Sequence, residues 1–270
     1  MNTENILKSI LKKEIRLRSK RLPWDGNGAG GPWSGRLHKH PHREAVLVLE
    51  GENDFLLDGR SCHLKPGDAV LIDSWTPHLF GYMECDCDLL HLWFFFCGKD
   101  ARASLCRVGM NGRYEILRSM VLPTCTATLM TSRWNELNKQ KVLTEEMLSF
   151  RLASPMKCLT EDFLFLAYQK DAQPVQDDLA SAVKLYIESN IGCDCSLAQL
   201  EKVFGYSRYH IAHKFRETYG YPVGACIDSV RAVFTEDALS KGLKQKEIAE
   251  ELGFSSAAAF WKWRRKTRTE

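Results

Sequence analysis

Residues 35–51 read GRLHKHPHREAVLVLEG, with His38, His40, His42 and Glu44 at alternate positions. Imidazoles and a carboxylate suit iron, manganese, nickel or zinc, and serve equally well as hydrogen-bond partners for a small polar molecule. On one straight strand His38 and Glu44 would stand about 20 Å apart, too far for a single ion. Pro41 removes a ladder donor and bends the chain after His40, so Glu44 starts the next strand and His38, His40 and Glu44 converge. His78 closes the segment KPGDAVLIDSWTPH, in which Gly67-Asp68 makes a turn. Arg36, Trp75, His91 and Trp93 complete the candidate pocket. His91 and Trp93 lie two apart on an apolar strand and share a face, and aromatic faces with a few fixed polar groups suit a sugar ring.

The elements that must hold these residues are short. Up to about residue 100, apolar runs such as AVLVLEG, NDFLLDG, AVLIDS and CDLLHLWFFF alternate with glycine and aspartate turns, which argues for an antiparallel barrel or sandwich. After about residue 112 the apolar spacing lengthens, and EILRSMVL, VLTEEMLSFRL and LTEDFLFLAY are read as helices. The polar stretch QKDAQPVQDD marks a boundary, giving a first domain over 1–170, a linker over 171–178 and a second domain over 179–270. The loop GNGAGG at 26–31 has dinucleotide-fingerprint spacing but no preceding strand, and is read as a loop.

The 270 residues are 44% hydrophobic and 26% charged with a net charge of +3, an ordinary composition for folded domains. No apolar run is long enough to span a membrane, and the basic start does not read as a secretory signal. A cytoplasmic location with reduced cysteines is expected, without a disulfide framework or a Cys-x-x-Cys zinc knuckle.

The spacing His-x-His-x3-Glu-x6-Gly, followed by Pro-Gly-Asp and Pro-His, resembles the two motifs of the cupin barrel over residues 33–97. That resemblance implies metal ligands at His38, His40, Glu44 and His78, and places His42 on the surface of the bend. Many cupin-like sensor domains resemble this pattern while using the same side chains only to hydrogen-bond a small molecule. The expectation is therefore that no cofactor is required, with a divalent metal kept as the alternative.

In SLAQLEKVFGYSRYHIAHKFRETYG, Ser196 and Ser207 cap two helices, Gly205 permits the turn between them, and Leu200, Ile211 and Phe215 face inward. The pattern recurs in KQKEIAEELGFSSAAAFWKWRRK, with Ile248, Ala249, Leu252 and Phe260 inward and a serine cap at 255 or 256. Between them, residues 222–241 form a helical rod of about 30 Å at 1.5 Å per residue. One turn of duplex DNA is about 34 Å, so the rod could set two helices into successive major-groove segments.

SLAQLEKVFGYS, IAHKFRETYG, Arg231 and EIAEELGF resemble the DNA-binding domain of the AraC/XylS family of bacterial transcription regulators, over residues 179–266. The resemblance implies an α+β protein, with a cupin-like sensor barrel and flanking helices followed by an all-α double helix-turn-helix domain. It implies a regulator, not an enzyme, that pairs as a homodimer through helices at about 142–169; the alternatives are a metal-dependent cupin isomerase or oxygenase and a metal-responsive regulator. Its partners would be double-stranded promoter DNA, a small-molecule effector such as a sugar, and RNA polymerase. Base reading would fall on Arg208, Tyr209, Ala212 and His213, with Arg216 nearer the phosphates. In the second unit Ser256, Ala257, Ala258, Trp261, Lys262 and Arg265 would meet DNA, the alanines offering only methyl groups. Arg264 stands where the family has a core phenylalanine, and Trp263 is expected to substitute by a small helix rotation. The cations at 262–268 form a phosphate clamp in this reading.

Overall fold

The computed structural model describes residues 2–23, 39–40, 42–80, 87–97, 100–110, 114–168 and 179–267. The loop at 26–31, Arg36, His38, the 171–178 stretch and Arg268 lie outside the described residues. The chain divides into two compact units, Met1–Asp177 and Asp178–Glu270.

The first unit runs α1 (Thr3–Leu11), β1 (Arg16–Ser19), β2 (Arg43–Glu50), β3 (Asn53–Leu57), β4 (Arg60–Leu64), β5 (Asp68–Ile72), β6 (His78–Phe80), β7 (Leu89–Cys97), β8 (Asp100–Val108), β9 (Tyr114–Leu122), α2 (Thr124–Asn138) and α3 (Glu145–Tyr168). Six strands form one sheet in the order β1-β5-β2-β7-β8-β9, and β4-β3-β6 form a second. Asp58 and Gly59 both take positive φ between the paired residues Leu57 and Arg60, the two-residue hairpin turn that suits the strand twist. Gly51 also has positive φ, and a side chain there would collide with Leu89, so only glycine fits between β2 and β3.

Period-two alternation gives the larger sheet two different faces. Ala45, Leu47 and Leu49 of β2, Ala69 and Leu71 of β5, and Leu90, Leu92, Phe94 and Phe96 of β7 pack against α1, α2 and α3 in one apolar core. The alternate residues, including Glu44, Val46, His91, Trp93 and Phe95, are buried on the opposite side.

The helix expected for EILRSMVL is instead β9, paired along β8 from Val108–Tyr114 to Ala101–Leu122. A short apolar run fits either period, and pairing satisfies the donors and acceptors that β8 would otherwise leave open. The two later segments expected to be helical merge into the single helix α3, which accommodates Pro155 within its length.

The second unit comprises α4 (Leu179–Ser189), α5 (Leu197–Phe204), α6 (Arg208–Tyr219), α7 (Val223–Ser240), α8 (Gln245–Glu251) and α9 (Ala257–Thr267). Ser196 Oγ accepts from Gln199 N and Ser207 Oγ from His210 N, while Gly205 and Gly220 close α5 and α6 in the left-handed conformation. Ser256 Oγ accepts from Ala259 N and caps α9. Leu200, Ile211 and Phe215 join Val183 and Ile187 in one core. Ile248, Ala249, Leu252 and Phe260 are buried in the second helical pair.

Arg264 corrects two expectations. It is buried and pairs with Glu236 Oε1 of α7 at 3.2 Å, so it occupies the core position itself and takes no place in a phosphate clamp. Trp263 packs beside it against Phe254 and Phe260 and does not replace it. The long arginine stem supplies the apolar packing while its head reaches Glu236 near the surface.

Candidate functional site

In the barrel, Glu44 is the second residue of β2, flanked by Ile72 on β5 and Phe95 on β7. Its Oε2 lies 3.1 Å from His40 Nε2 and 3.5 Å from His78 Nε2, and its Oε1 lies 3.0 Å from His42 Nε2. His40, Glu44 and His78 are buried. The backbone holds them there: Trp75, at positive φ, donates its N–H to His40 O at 2.8 Å and ties the β5–β6 turn to His40.

His42 overturns its expected place on the surface. Its side chain is only 11% exposed, its ring stacks on His40 with centroids 3.8 Å apart, and its Nε2 faces Glu44. Burial of the carboxylate selects this inward turn, because an ionised Glu44 away from water needs every available donor. The shared parity of positions 40, 42 and 44 was the signal that could have found it.

The ring orientations follow from chemistry. His40 Nδ1 lies 2.9 Å from His42 O and His78 Nδ1 lies 2.9 Å from Thr76 O. A carbonyl can only accept, so both Nδ1 atoms carry protons; the Nε2 beside Glu44 donates to it when the ring is charged, and in a neutral ring offers a lone pair that can bind a cation. Burial works to raise the Glu44 carboxyl, but the His40 charge and hydrogen bonds from His40, His42 and His78 hold it well below the ordinary carboxylate range. Burial pushes His40 down, outweighing the pull of Glu44. An ionised carboxylate beside imidazoles whose Nε2 atoms can offer lone pairs is a donor set that a divalent cation satisfies, with the carbonyl contacts as the outer support that metal-bound histidines use. The residues therefore fit a metal, and His40, His42 and Glu44 present their ligand atoms within 4.8 Å of one another.

His91 and Trp93 lie on the same inward face of β7, opposite Val48 and Val46 of β2. Burial alone pushes His91 down to about 3, so it is a neutral ring. Trp93 stacks with Phe95, which in turn meets His42. Phe95, absent from the candidates named from sequence, thus links the aromatic wall to the histidines. Trp75 and His78 stand in the same neighbourhood as His40.

In the helical unit, α6 turns Ile211 and Phe215 inward and exposes Arg208, Tyr209, His213 and Arg216, with Ala212 half-buried. Tyr209 is 80% exposed and stacks on His213 one turn later, with ring centroids 6.0 Å apart. Arg208 Nε donates to Glu201 Oε2 of α5 at 2.7 Å. On α9, Ser256, Ala257, Ala258, Lys262 and Arg265 are exposed, and Trp261 is 52% exposed. Exposed large aromatics on both helices, each backed by a buried face, are an unusual surface for water alone and a suitable one for base edges and sugars. The helix α7 between them has 18 residues, a rise of about 27 Å.

Residues 28–92 match the family model of the cupin domain. An uncharacterized HTH-type transcriptional regulator of Staphylococcus aureus (strain COL) is 30% identical over 135 residues, covering 47% of this chain and 16% of that protein. The chain thus spans only a small part of that relative's length. The uncharacterized HTH-type transcriptional regulator YfiF of Bacillus subtilis (strain 168) is 26% identical over 230 residues, covering 81% of this chain and 72% of its own. The crystal structure of ToxT from Vibrio cholerae O395 aligns over 84% of this chain and 86% of its own, at a TM-score of 0.32 and 11% identity. The chain thus carries a cupin domain match over residues 28–92, followed by a unit of two capped helical pairs, and is similar to proteins named as HTH-type transcriptional regulators.

Proposed function

We propose that this protein is a sequence-specific DNA-binding transcription regulator whose barrel reads a small molecule and carries out no catalysis. One observation carries the reading: α6 and α9 are each capped by serine, buried on one face and exposed on the other, and α7 joins the two pairs with a rise of about 27 Å, against about 34 Å for one duplex turn. Arg208, Tyr209, Ala212 and His213 read bases in this proposal, and Arg216 approaches phosphate. In the second half Ser256, Ala257, Ala258 and Trp261 lie along the groove while Lys262 and Arg265 hold the backbone. Promoter DNA and, through it, RNA polymerase are the partners, in the cytoplasm. The exposed Phe150 and Phe165 of α3 support pairing of two copies.

The effector would enter among Trp75, His78, His91 and Trp93, with Arg36 and His38 as further candidates from the sequence. Their mix of aromatic faces and fixed polar groups suits a sugar or related metabolite. The convergence of His40, His42 and His78 on Glu44 supports a second reading, in which a divalent metal is the signal or part of the pocket. Bound there, the metal would supply Lewis acidity and charge. Of the ligand sets, the histidine that faces Glu44 beside His40 is His42, and His38 remains a candidate from the motif alone.

The test is binding of the full chain to a random-sequence duplex pool and to the sequences it enriches, over a range of salt. Arg208→Ala or His213→Ala should relax base preference, whereas Lys262→Ala or Arg265→Ala should weaken all duplexes alike and lower the salt slope by about 1. Failure of the wild-type chain to bind any duplex at low salt would sink the regulator reading. For the metal, tag-free protein should bind zinc, manganese or nickel stoichiometrically and lose it in both His40→Ala and His42→Ala. Loss in His40→Ala alone removes His42 from the set.

A further inference from the structure

A carboxylate on a DNA-facing surface repels phosphate, so its presence needs a reason. Glu201 lies on α5 and is partly exposed, and it points at the start of α6. Its Oε2 accepts from Arg208 Nε at 2.7 Å, and the backbone N–H of Arg208 also hydrogen-bonds to this carboxylate. Arg208 is the first residue of α6, directly after the Ser207 cap, so the carboxylate grips both its main chain and its side chain. As a surface ion pair such a contact contributes little to stability. Its effect on geometry is larger. An arginine head on a free stem samples many rotamers, and taking Nε into a fixed bond orients the terminal Nη1–Nη2 edge, the edge that matches O6 and N7 of guanine.

The charge pattern agrees. Lys214 of α6 is likewise paired, with Glu217 Oε2 at 2.8 Å, so two of that helix's cations are neutralised by carboxylates. On α9, Lys262, Arg265 and Lys266 are exposed in one run. The first helix is thus poor in net phosphate attraction and rich in oriented groups.

We propose that Glu201 is a specificity-determining positioning residue, which holds Arg208 so that it selects a guanine in the operator. The proposal rests on α6 being a recognition helix, as argued above.

The test uses the full chain. Wild-type protein is put through selection from a random duplex pool, alongside Arg208→Ala, Glu201→Ala and Glu201→Gln, and affinity for unselected DNA is measured in parallel. Wild type should show a guanine preference of about tenfold or more at one position per site. Arg208→Ala should lose it there. Glu201→Ala should cut it at that same position to about threefold or less. Meanwhile, with one repelling charge gone, affinity for unselected DNA should rise about two- to threefold. Glu201→Gln, whose amide oxygen still accepts from Nε, should retain much of the preference with the same rise. An unchanged preference in Glu201→Ala overturns the proposal. So does loss of preference at every position together with a lower melting temperature, which marks a merely structural tie. Should wild type itself enrich no sequence, it is the regulator reading that fails.

Discussion

The indole Nε1–H of Trp263 donates to Asp228 Oδ1 at 2.7 Å, fastening α9 to the first half of α7. The same tryptophan packs on Phe254 and Phe260, and Arg231 of α7 lies over the Phe254 ring at 5.0 Å. This hydrogen bond to a charged acceptor therefore helps to set the tilt of α9 on the rod, alongside the Arg264–Glu236 pair. Asp228→Ala should lower stability by about 1–2 kcal/mol, and Asp228→Asn, which can still accept, by less. Thermal unfolding of the full chain measures both; equal melting of Asp228→Ala and wild type would show that the bond contributes nothing.

Arg264 gives the opposite expectation. Its head is buried at a helix interface and its partner Glu236 is 60% exposed. A buried charge whose partner stands at the surface can be replaced by apolar volume at little cost, because the desolvation of that charge disappears with it. Arg264→Met should change stability by no more than about 1 kcal/mol in either direction. Glu236→Ala, which strands the buried cation, should be the more damaging of the two. The reverse order in thermal melts would mean that the arginine's charge has another use.

His91 predicts acid sensitivity. Folded, its ring is pushed down to about 3 by burial; unfolded, it returns to its ordinary 6.5. Between those values the unfolded chain binds the extra proton, so the contribution is present above 6.5 and is lost as pH falls. At pH 5 this residue alone should cost about 2 kcal/mol relative to neutral pH. His91→Leu should flatten the stability curve between pH 6.5 and 5. A curve as steep as that of wild type would assign the acid loss to other groups.

Phe150 and Phe165 of α3 are 81% and 64% exposed and lie about four turns apart, on one side of the helix. Charging them should break self-association without touching the core. Phe150→Glu with Phe165→Glu should shift the chain from dimer to monomer in sedimentation velocity at micromolar concentration, with the melting temperature of the monomer unchanged. A wild-type chain already monomeric at that concentration removes this face as the pairing surface.

Much of the helical unit was legible residue by residue. Ser196, Gly205, Ser207 and Gly220 act within their own turns, and Leu200, Ile211 and Phe215 follow a helical period, so each can be read locally. The β9 segment was not, because an eight-residue apolar run satisfies two periods and only the neighbouring β8 chooses between them.

The sequence by itself determined which side chains could do chemistry, where the barrel motifs begin, and that two capped helical pairs flank a rod, since caps, turns and periodicity are short-range. Only the tertiary structure decided that His42 turns in beside His40, that Arg264 takes a core place by reaching Glu236, and that Glu201 grips Arg208. Each of these joins a side chain to a partner whose position depends on the packing around it. Burial then makes the pairing obligatory at Glu44 and Arg264, because a charge taken out of water must find its complement nearby.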